Sequence, residues 1–283
     1  MRIHWYPGHM AKTRRLLIES LKLVDVVVEL LDARAPRATA NPDLNALLKD
    51  KTRIIVLNKC DLADLEATKR WVLWYEAKGL LVLPFNSAAG NKKAAAAVIE
   101  KATAPLVAKM KEKGVNKTVR AQVVGIPNVG KSTFINCIAG AARTKVGNKP
   151  GVTRGKQWVK ITQYFELLDT PGLLWPKLEN EAHALSLAFI GAIKDEILDV
   201  EELAAQLLIK LQKICPKAIS ARFEKIQSET RNEDLLLAVC ASRGFLLHGG
   251  MPDYARGARI VLDEFRAGKI ARVTLDEPNE ADD

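Results

Sequence analysis

No stretch of this 283-residue sequence is apolar for the ~20 residues that a membrane-spanning helix needs. The opening MRIHWYPGHMAKTRR has charges but no apolar core between them, so it does not read as a secretory signal. Cysteine is scarce. Cys60, Cys137, Cys215 and Cys240 are scattered and form no CxxC pair, which argues against a zinc ribbon or a disulfide framework and fits reduced thiols in the cytoplasm. Acidic residues are short in the first two thirds: residues 1–176 hold 29 Lys and Arg against 14 Asp and Glu. The whole chain is net +10, while residues 177–283 are net −5. A basic field confined to one part of a chain suits a polyanionic partner, nucleic acid, over a merely soluble basic protein.

What is present is a succession of Val-, Ile- and Leu-rich runs. They are DVVVELLD (25–32), RIIVLNK (53–59), GLLVLPFN (79–86), VRAQVVG (119–125) and WVKITQYFELLD (158–169). Several are continuous rather than alternating, as in strands covered on both faces. Helical patterns fall between them at 41–50, 64–78, 91–113 and 131–141. Such alternation predicts an α/β fold with a mostly parallel sheet and helices on both faces. After LLWP (173–176) the pattern turns helical through residue 274, as in VEELAAQLLIKL and ARIVLDEFRAG. Two domains are expected, 1–176 and a smaller all-helical one at 177–283, with a frayed acidic tail, LDEPNEADD.

GIPNVGKS (125–132) matches G-x-x-x-x-G-K-[ST] between a strand and a helix, the context this phosphate-binding loop needs. Gly125 and Gly130 free the backbone to turn amides toward phosphate oxygens, with Asn128, Val129 and Thr133 lining the same cradle. Lys131 reaches β- and γ-phosphates, and the Ser132 hydroxyl suits Mg²⁺. DTPG (169–172) closes the last strand: Asp169 is placed to hold Mg²⁺, and the Gly172 amide to meet a γ-phosphate. In the intervening KPGVTRGKQ, Thr153 is a further Mg²⁺ ligand candidate, with Thr144 and Thr170 as rivals.

NKCD (58–61) ends the strand RIIVL, at the sheet edge where ligands gather. A carboxylate at Asp61 can accept from the guanine N1–H and 2-amino group, donors that adenine lacks in that arrangement. The Lys59 stem can lie on the ring and Asn58 can brace the loop. FNSAAG (85–90) also follows a strand; Asn86, Ser87 and Ala88 form a second base-reading loop, with the Ala88 amide for guanine O6. Alone, an NKxD is an ordinary polar strand end; beside three further agreeing motifs it reads as a guanine site. The chain order NKCD, SAAG, GIPNVGKS, GVTRG, DTPG is 4-5-1-2-3, a circular permutation of the usual GTPase order. The lysine-rich segment 91–117 joins the two halves, and DTPG runs straight into the helical region. That is a physical route from nucleotide state to a partner-binding surface.

WYPGHMAK (5–12), DARAP (32–36), NKCDL (58–62), GIPNVGKST (125–133), PGVTRGKQ (150–157), DTPGLLWP (169–176) and GGMPDYARGARIVLDEFRAGKIARVTL (249–275) together closely resemble the circularly permuted YlqF/RbgA family of ribosome biogenesis GTPases. The resemblance covers nearly the whole chain. It implies GTP and GDP as ligands, hydrolysis at a low basal rate stimulated by the ribosome, and late assembly of the large (50S) subunit through its precursor particle and rRNA. A monomer in solution is expected. Where Ras-like proteins place a water-orienting glutamine, this chain has Leu173, whose alkyl group cannot polarise water. The resemblance implies K⁺ held by Asn128, and singles out His9 as a water-orienting group; read unaided, a lone histidine near a terminus is more often a structural or phosphate-contacting residue.

Two stretches suit RNA. The arm with Arg2, Lys12, Arg14 and Arg15 beside Trp5 and Tyr6 mixes cations with aromatics, although those aromatics equally fit packing on the GTPase domain. Residues 243–272 carry Arg243, Arg256, Arg259, Arg266, Lys269 and Arg272, a local excess of cations that a solvated face would also show. Two other function classes stay open. A signalling switch with a protein partner is disfavoured by the basic GTPase half, and an ATP-using enzyme by Asp61.

Overall fold

The computed structural model describes residues 15, 17–42, 47–48, 51–89, 92–114, 118–140, 157–162, 165–169 and 180–278. Among the described residues six strands form one sheet: β1 (Val26–Asp32), β2 (Thr52–Asn58), β3 (Leu81–Phe85), β4 (Val119–Val124), β5 (Gln157–Thr162) and β6 (Phe165–Asp169). Their spatial order is β3-β2-β1-β4-β6-β5, and all pairs are parallel except β5 with β6. The run 158–169, expected as one strand, is an antiparallel pair with a register shift between Lys160 and Thr162.

The apolar runs are continuous because both faces are covered. Val28, Leu30, Ile54 and Val56 point into one core with Phe85, Ile99 and Phe134. Their neighbours Leu31, Ile55 and Leu57 point into another with Trp71 and Tyr75. Trp71 and Tyr75 belong to α2 (Leu65–Ala77), which follows the four-residue α1 (Pro36–Thr39); Asp64 caps α2 by accepting from the Ala67 amide at 2.7 Å. Ile99 belongs to α3 (Lys92–Glu112), in the lysine-rich connector, and Phe134 to α4 (Lys131–Ala139). The expected helix at 41–50 falls largely outside the described residues.

Sheet order gives the permutation its geometry. β4 comes late in the chain yet lies between β1 and β6. Parallel strands put the ends of β1, β2, β3, β4 and β6 on one edge, so NKCD, SAAG, the glycine loop and Asp169 converge there although the chain visits them out of order.

Further helices among the described residues are α5 (Glu181–Phe189), α6 (Val200–Ile214), α7 (Pro216–Arg222), α8 (Leu235–Arg243) and α9 (Tyr254–Arg266). Asn180, Asp199 and Asp253 cap α5, α6 and α9 by accepting from backbone amides. Leu203, Leu207, Leu208 and Leu211 of α6 bury one stripe against Ala258, Val261, Leu262 and Phe265 of α9. A Cβ on Gly257 would lie 2.6 Å from Cys240 Sγ, so glycine lets α8 and α9 approach. Arg266 donates to the α5 carbonyls of Ala188 (2.9 Å) and Phe189 (3.0 Å), and pairs with Asp195 at 2.6 Å.

The tail corrects its expectation. Instead of fraying, residues 274–278 dock on the turn after β1 and on α2; residues 279–283 lie outside the described residues. The Leu275 amide donates to Arg34 O at 2.6 Å, the Thr274 hydroxyl to Ala33 O at 3.1 Å, and the Trp71 indole to Asp276 O at 3.3 Å. Glu277 pairs with Arg70 at 2.6 Å. Apolar Val273 and Leu275, both buried, anchor a segment that its acidic composition had made look solvated.

Candidate guanine-nucleotide site

The motif loops at the strand ends are tied together by two adjacent side chains. Asn58, 1% exposed at the end of β2, donates through Nδ2 to Val129 O at 2.7 Å. Its Oδ1 accepts from the Ser87 amide (3.1 Å) and hydroxyl (2.7 Å). One side chain therefore fastens NKCD to both SAAG and the glycine loop. Lys59 follows with φ +59 and donates from Nζ to Asn128 O at 2.7 Å. Asp61 is half-buried in the next turn.

The glycine loop turns on positions that a Cβ would block. At Gly125 (φ +150) a Cβ would stand 2.6 Å from Leu30 O of β1; at Gly130 (φ +97) it would collide with Asn58 Nδ2. Gly130 also starts α4, so amides at the helix N-terminus face the strand-end edge with the positive end of the helix dipole. Lys131 is buried and donates to Ile126 O within the loop at 2.9 Å; Ser132 and Thr133 occupy the first turn of α4, half-exposed. In SAAG, Asn86 Oδ1 accepts from the amides of Ala88 (2.9 Å) and Ala89 (3.2 Å), so the Ala88 amide expected to meet guanine O6 has an internal acceptor.

Asp169 ends β6 opposite Val123 of β4, one strand from the glycine loop. The Ser132 hydroxyl is a hard oxygen donor of the type Mg²⁺ takes, and the side chain of Asp169 lies outside what the structure describes. The Asn128 amide donates from Nδ2 to Gly191 O at 2.8 Å, so its orientation is set by the turn after α5. An amide oxygen is also a donor that suits K⁺. His9, Thr153, Gly172, Leu173, the rivals Thr144 and Thr170, and most of the N-terminal arm lie outside the described residues; Arg15 is exposed.

Sequence reasoning gave no role to Asp32 and Arg34. Asp32 ends β1, and its carboxylate accepts from the Arg34 amide (3.1 Å), Nε (2.9 Å) and Nη2 (2.7 Å), and pairs with Lys59 Nζ at 3.0 Å. Burial works to raise the Asp32 pKa, but the Arg34 and Lys59 charges outweigh it and hold the carboxyl far below the ordinary carboxylate range. An aspartate closing an apolar strand, with an arginine two residues on, was the available signal. Two of the six expected RNA-facing cations are used internally: Arg266 as above, and Arg243, which pairs with Glu264 at 3.2 Å. Arg256, Arg259, Lys269 and Arg272 are exposed.

The sequence family described as 50S ribosome-binding GTPase matches residues 120–240, from β4 into α8. A ribosome biogenesis GTPase A from Bacillus cereus is 43% identical over 99% of this chain and 95% of its own length. The chain belongs to the ribosome biogenesis GTPase A family. The Thermotoga maritima member is 33% identical over 98% of this chain and 95% of its own. Crystal structures of YlqF from T. maritima bound to GNP and to GDP both superpose with a TM-score of 0.68. The GNP-bound one is 28% identical and covers 95% of this chain and 99% of that one. The fold is thus the circularly permuted P-loop GTPase fold of this family, and the chain is a GTPase that binds guanine nucleotide. Among the described residues no helix is long and apolar enough to cross a membrane.

Proposed function

We propose that this chain is a cytoplasmic GTP-hydrolysing assembly factor for the large ribosomal subunit, binding its precursor and rRNA according to nucleotide state. The observation that carries this reading is the knot of Asn58 and Lys59 on Val129 O and Asn128 O: one rigid edge holds the guanine-type motif, SAAG and the phosphate loop. Asp61 reads the base, Lys131 and the α4 amides bind phosphates, and Ser132 and Asp169 hold Mg²⁺, which supplies charge neutralisation at the phosphates. Asn128 contributes to a K⁺ site near the β- and γ-oxygens. His9, Thr153 and Gly172 complete the reaction side. Residues 1–176 form the GTPase domain and 177–283 a helical domain whose exposed cations, Arg256, Arg259, Lys269 and Arg272, meet rRNA as a monomer docks.

The route from nucleotide to ribosome is short. Asn128 in the phosphate loop holds Gly191, directly after α5, and DTPG leads into the same helix. The test is sedimentation with large-subunit precursors in GDP and in a non-hydrolysable GTP analogue. The GTP-like state should bind more tightly by about 1–3 kcal/mol, and binding should weaken steeply with salt. Equal binding in both states, or an association that survives ribonuclease unchanged, would favour a switch acting on a protein partner instead.

A further inference from the structure

Asp32 and Arg34 lie in neither the base-reading motif nor the phosphate loop, yet Asp32 touches the residue that joins the two and Arg34 holds Asp32. Asp32 is the register partner of Asn58, so the ends of β1 and β2 lie side by side. Its Oδ2 is 3.0 Å from Lys59 Nζ, and the same ammonium donates to Asn128 O. Arg34 fixes both oxygens of that carboxylate. Arg34 is itself held: Nη1 donates to Arg266 O at 3.2 Å, its guanidinium lies 5.8 Å from the centre of the Phe265 ring, and its carbonyl accepts from the Leu275 amide. The side chains of Asp32 and Arg34 are 1% and 2% exposed. The Lys59 ammonium thus points at a target that cannot move.

We propose that Asp32, fixed by Arg34, is a positioning residue for guanine recognition: it holds the Lys59 ammonium so that the lysine stem is set as the floor of the base pocket before nucleotide arrives. This rests on the reading of NKCD as the base-binding motif. A free lysine has many rotamers to lose when a ring settles on its stem; one tethered at its ammonium has already lost them. The tether also places α9 and the C-terminal segment two residues from the base loop, through Asp32 and Arg34.

A double-mutant cycle read by dissociation constants for a fluorescent GDP separates positioning from packing. Asp32→Asn should weaken GDP binding about tenfold in the otherwise unaltered chain, and by less than about twofold in a Lys59→Met background, where nothing is left to position. The same factor in both backgrounds, or no loss in the first, overturns the proposal. Because Asp32→Asn leaves Arg34 buried beside a neutral partner, the charge-free pair Asp32→Asn/Arg34→Gln is measured beside it, with thermal melting as the check on folding. That folded pair must also lose affinity; full GDP affinity in it overturns the proposal. Asp61→Asn is run in parallel. Unchanged GDP affinity there removes the base-reader reading itself, whereas a large loss there with additive Asp32 and Lys59 effects removes only the positioning role.

Discussion

Two knots of one acid and two bases stand at opposite parts of the molecule. Asp32 with Arg34 and Lys59 closes the sheet edge at the nucleotide loops; Glu264 with Arg222 and Arg243 fastens α7, α8 and α9. Their chemistry is alike and their burial is not. Asp32 and Arg34 are out of water, while Arg222 and Arg243 keep 34% and 29% of their side-chain surface. In the second knot, hydrogen bonding to Arg222 leads in lowering the Glu264 pKa, aided by the Arg243 charge against burial. In the first, two charges must overcome full burial. Lys59 keeps 24% of its side-chain surface, but the Asp32–Arg34 pair has no fallback when one partner goes, whereas water can take up the slack in the other knot. Only the dry one touches a nucleotide-motif residue.

Breaking the dry knot should give the largest effect. Arg34→Ala removes both guanidinium contacts, leaving the Asp32 carboxylate with Lys59 and the residue-34 amide, and strips Arg266 O of the Arg34 donor, so a loss of about 3–5 kcal/mol in urea unfolding is expected. A loss under about 1 kcal/mol would mean that water enters the site freely.

Asp61→Asn sharpens the comparison by reading function rather than stability. An amide in place of the carboxylate sets a donor against guanine donors, costing about 10²-fold in GDP affinity. Xanthine nucleotides should be partly rescued. Melting should barely change, since Asp61 is half-buried and acts on Lys59 and Arg34 only through its charge.

Glu264→Gln should do the reverse. It removes the charge that gathers Arg222 and Arg243 and should cost about 1–2 kcal/mol, with GDP affinity unchanged. A change in GDP affinity of tenfold or more would show that the helical knot, too, communicates with the base loop.

Much of this was written in the chain, and what was not shares a cause. NKCD, SAAG and the glycine loop were legible because each is a local motif at a strand end, and the permutation followed from their order. The covered sheet was legible because residues 26–31 are apolar without alternation, apart from Glu29. That glutamate is buried; desolvation raises its pKa against the pull of Arg53, its partner on the neighbouring strand. Partners 24 residues apart in sequence leave no local pattern, and Arg34 with Arg266 are further apart still. Counting charges therefore placed Arg243 and Arg266 on an RNA face, when each is bound to a carboxylate within the fold. The tail was misread for the same reason: its acidic letters dominate, while Val273 and Leu275 do the packing.

The smallest predicted effect lies where that tail meets the dry knot's own loop, and it runs opposite in pH. Asp276 Oδ2 accepts from the Ala38 amide at 3.0 Å, while its Oδ1 is buried without a hydrogen-bond partner among the described residues. Burial pushes the Asp276 pKa up to about 7, against the amides of Ala38 and Arg37 and the Arg37 charge. A folded-state value raised above the unfolded one means that the folded chain holds the proton more tightly. The contribution is fully present below pH ~4, fades as pH rises toward ~7 and is flat beyond. Asp32 has the opposite sign: its depressed value gives stability above pH ~4 that is lost only as acid is added. Asp276→Asn keeps the shape and the acceptor for Ala38 but cannot ionise. Urea unfolding of both proteins from pH 5 to pH 8 should show the asparagine variant gaining on the parent as pH rises, by about 1 kcal/mol at pH 8 given partial access to water. Parallel curves would place the Asp276 carboxylate in solvent, and the tail would then hold through Leu275, Thr274, the Arg70–Glu277 pair and the bonds of Trp71 and Arg37 to the carbonyls of Asp276 and Glu277.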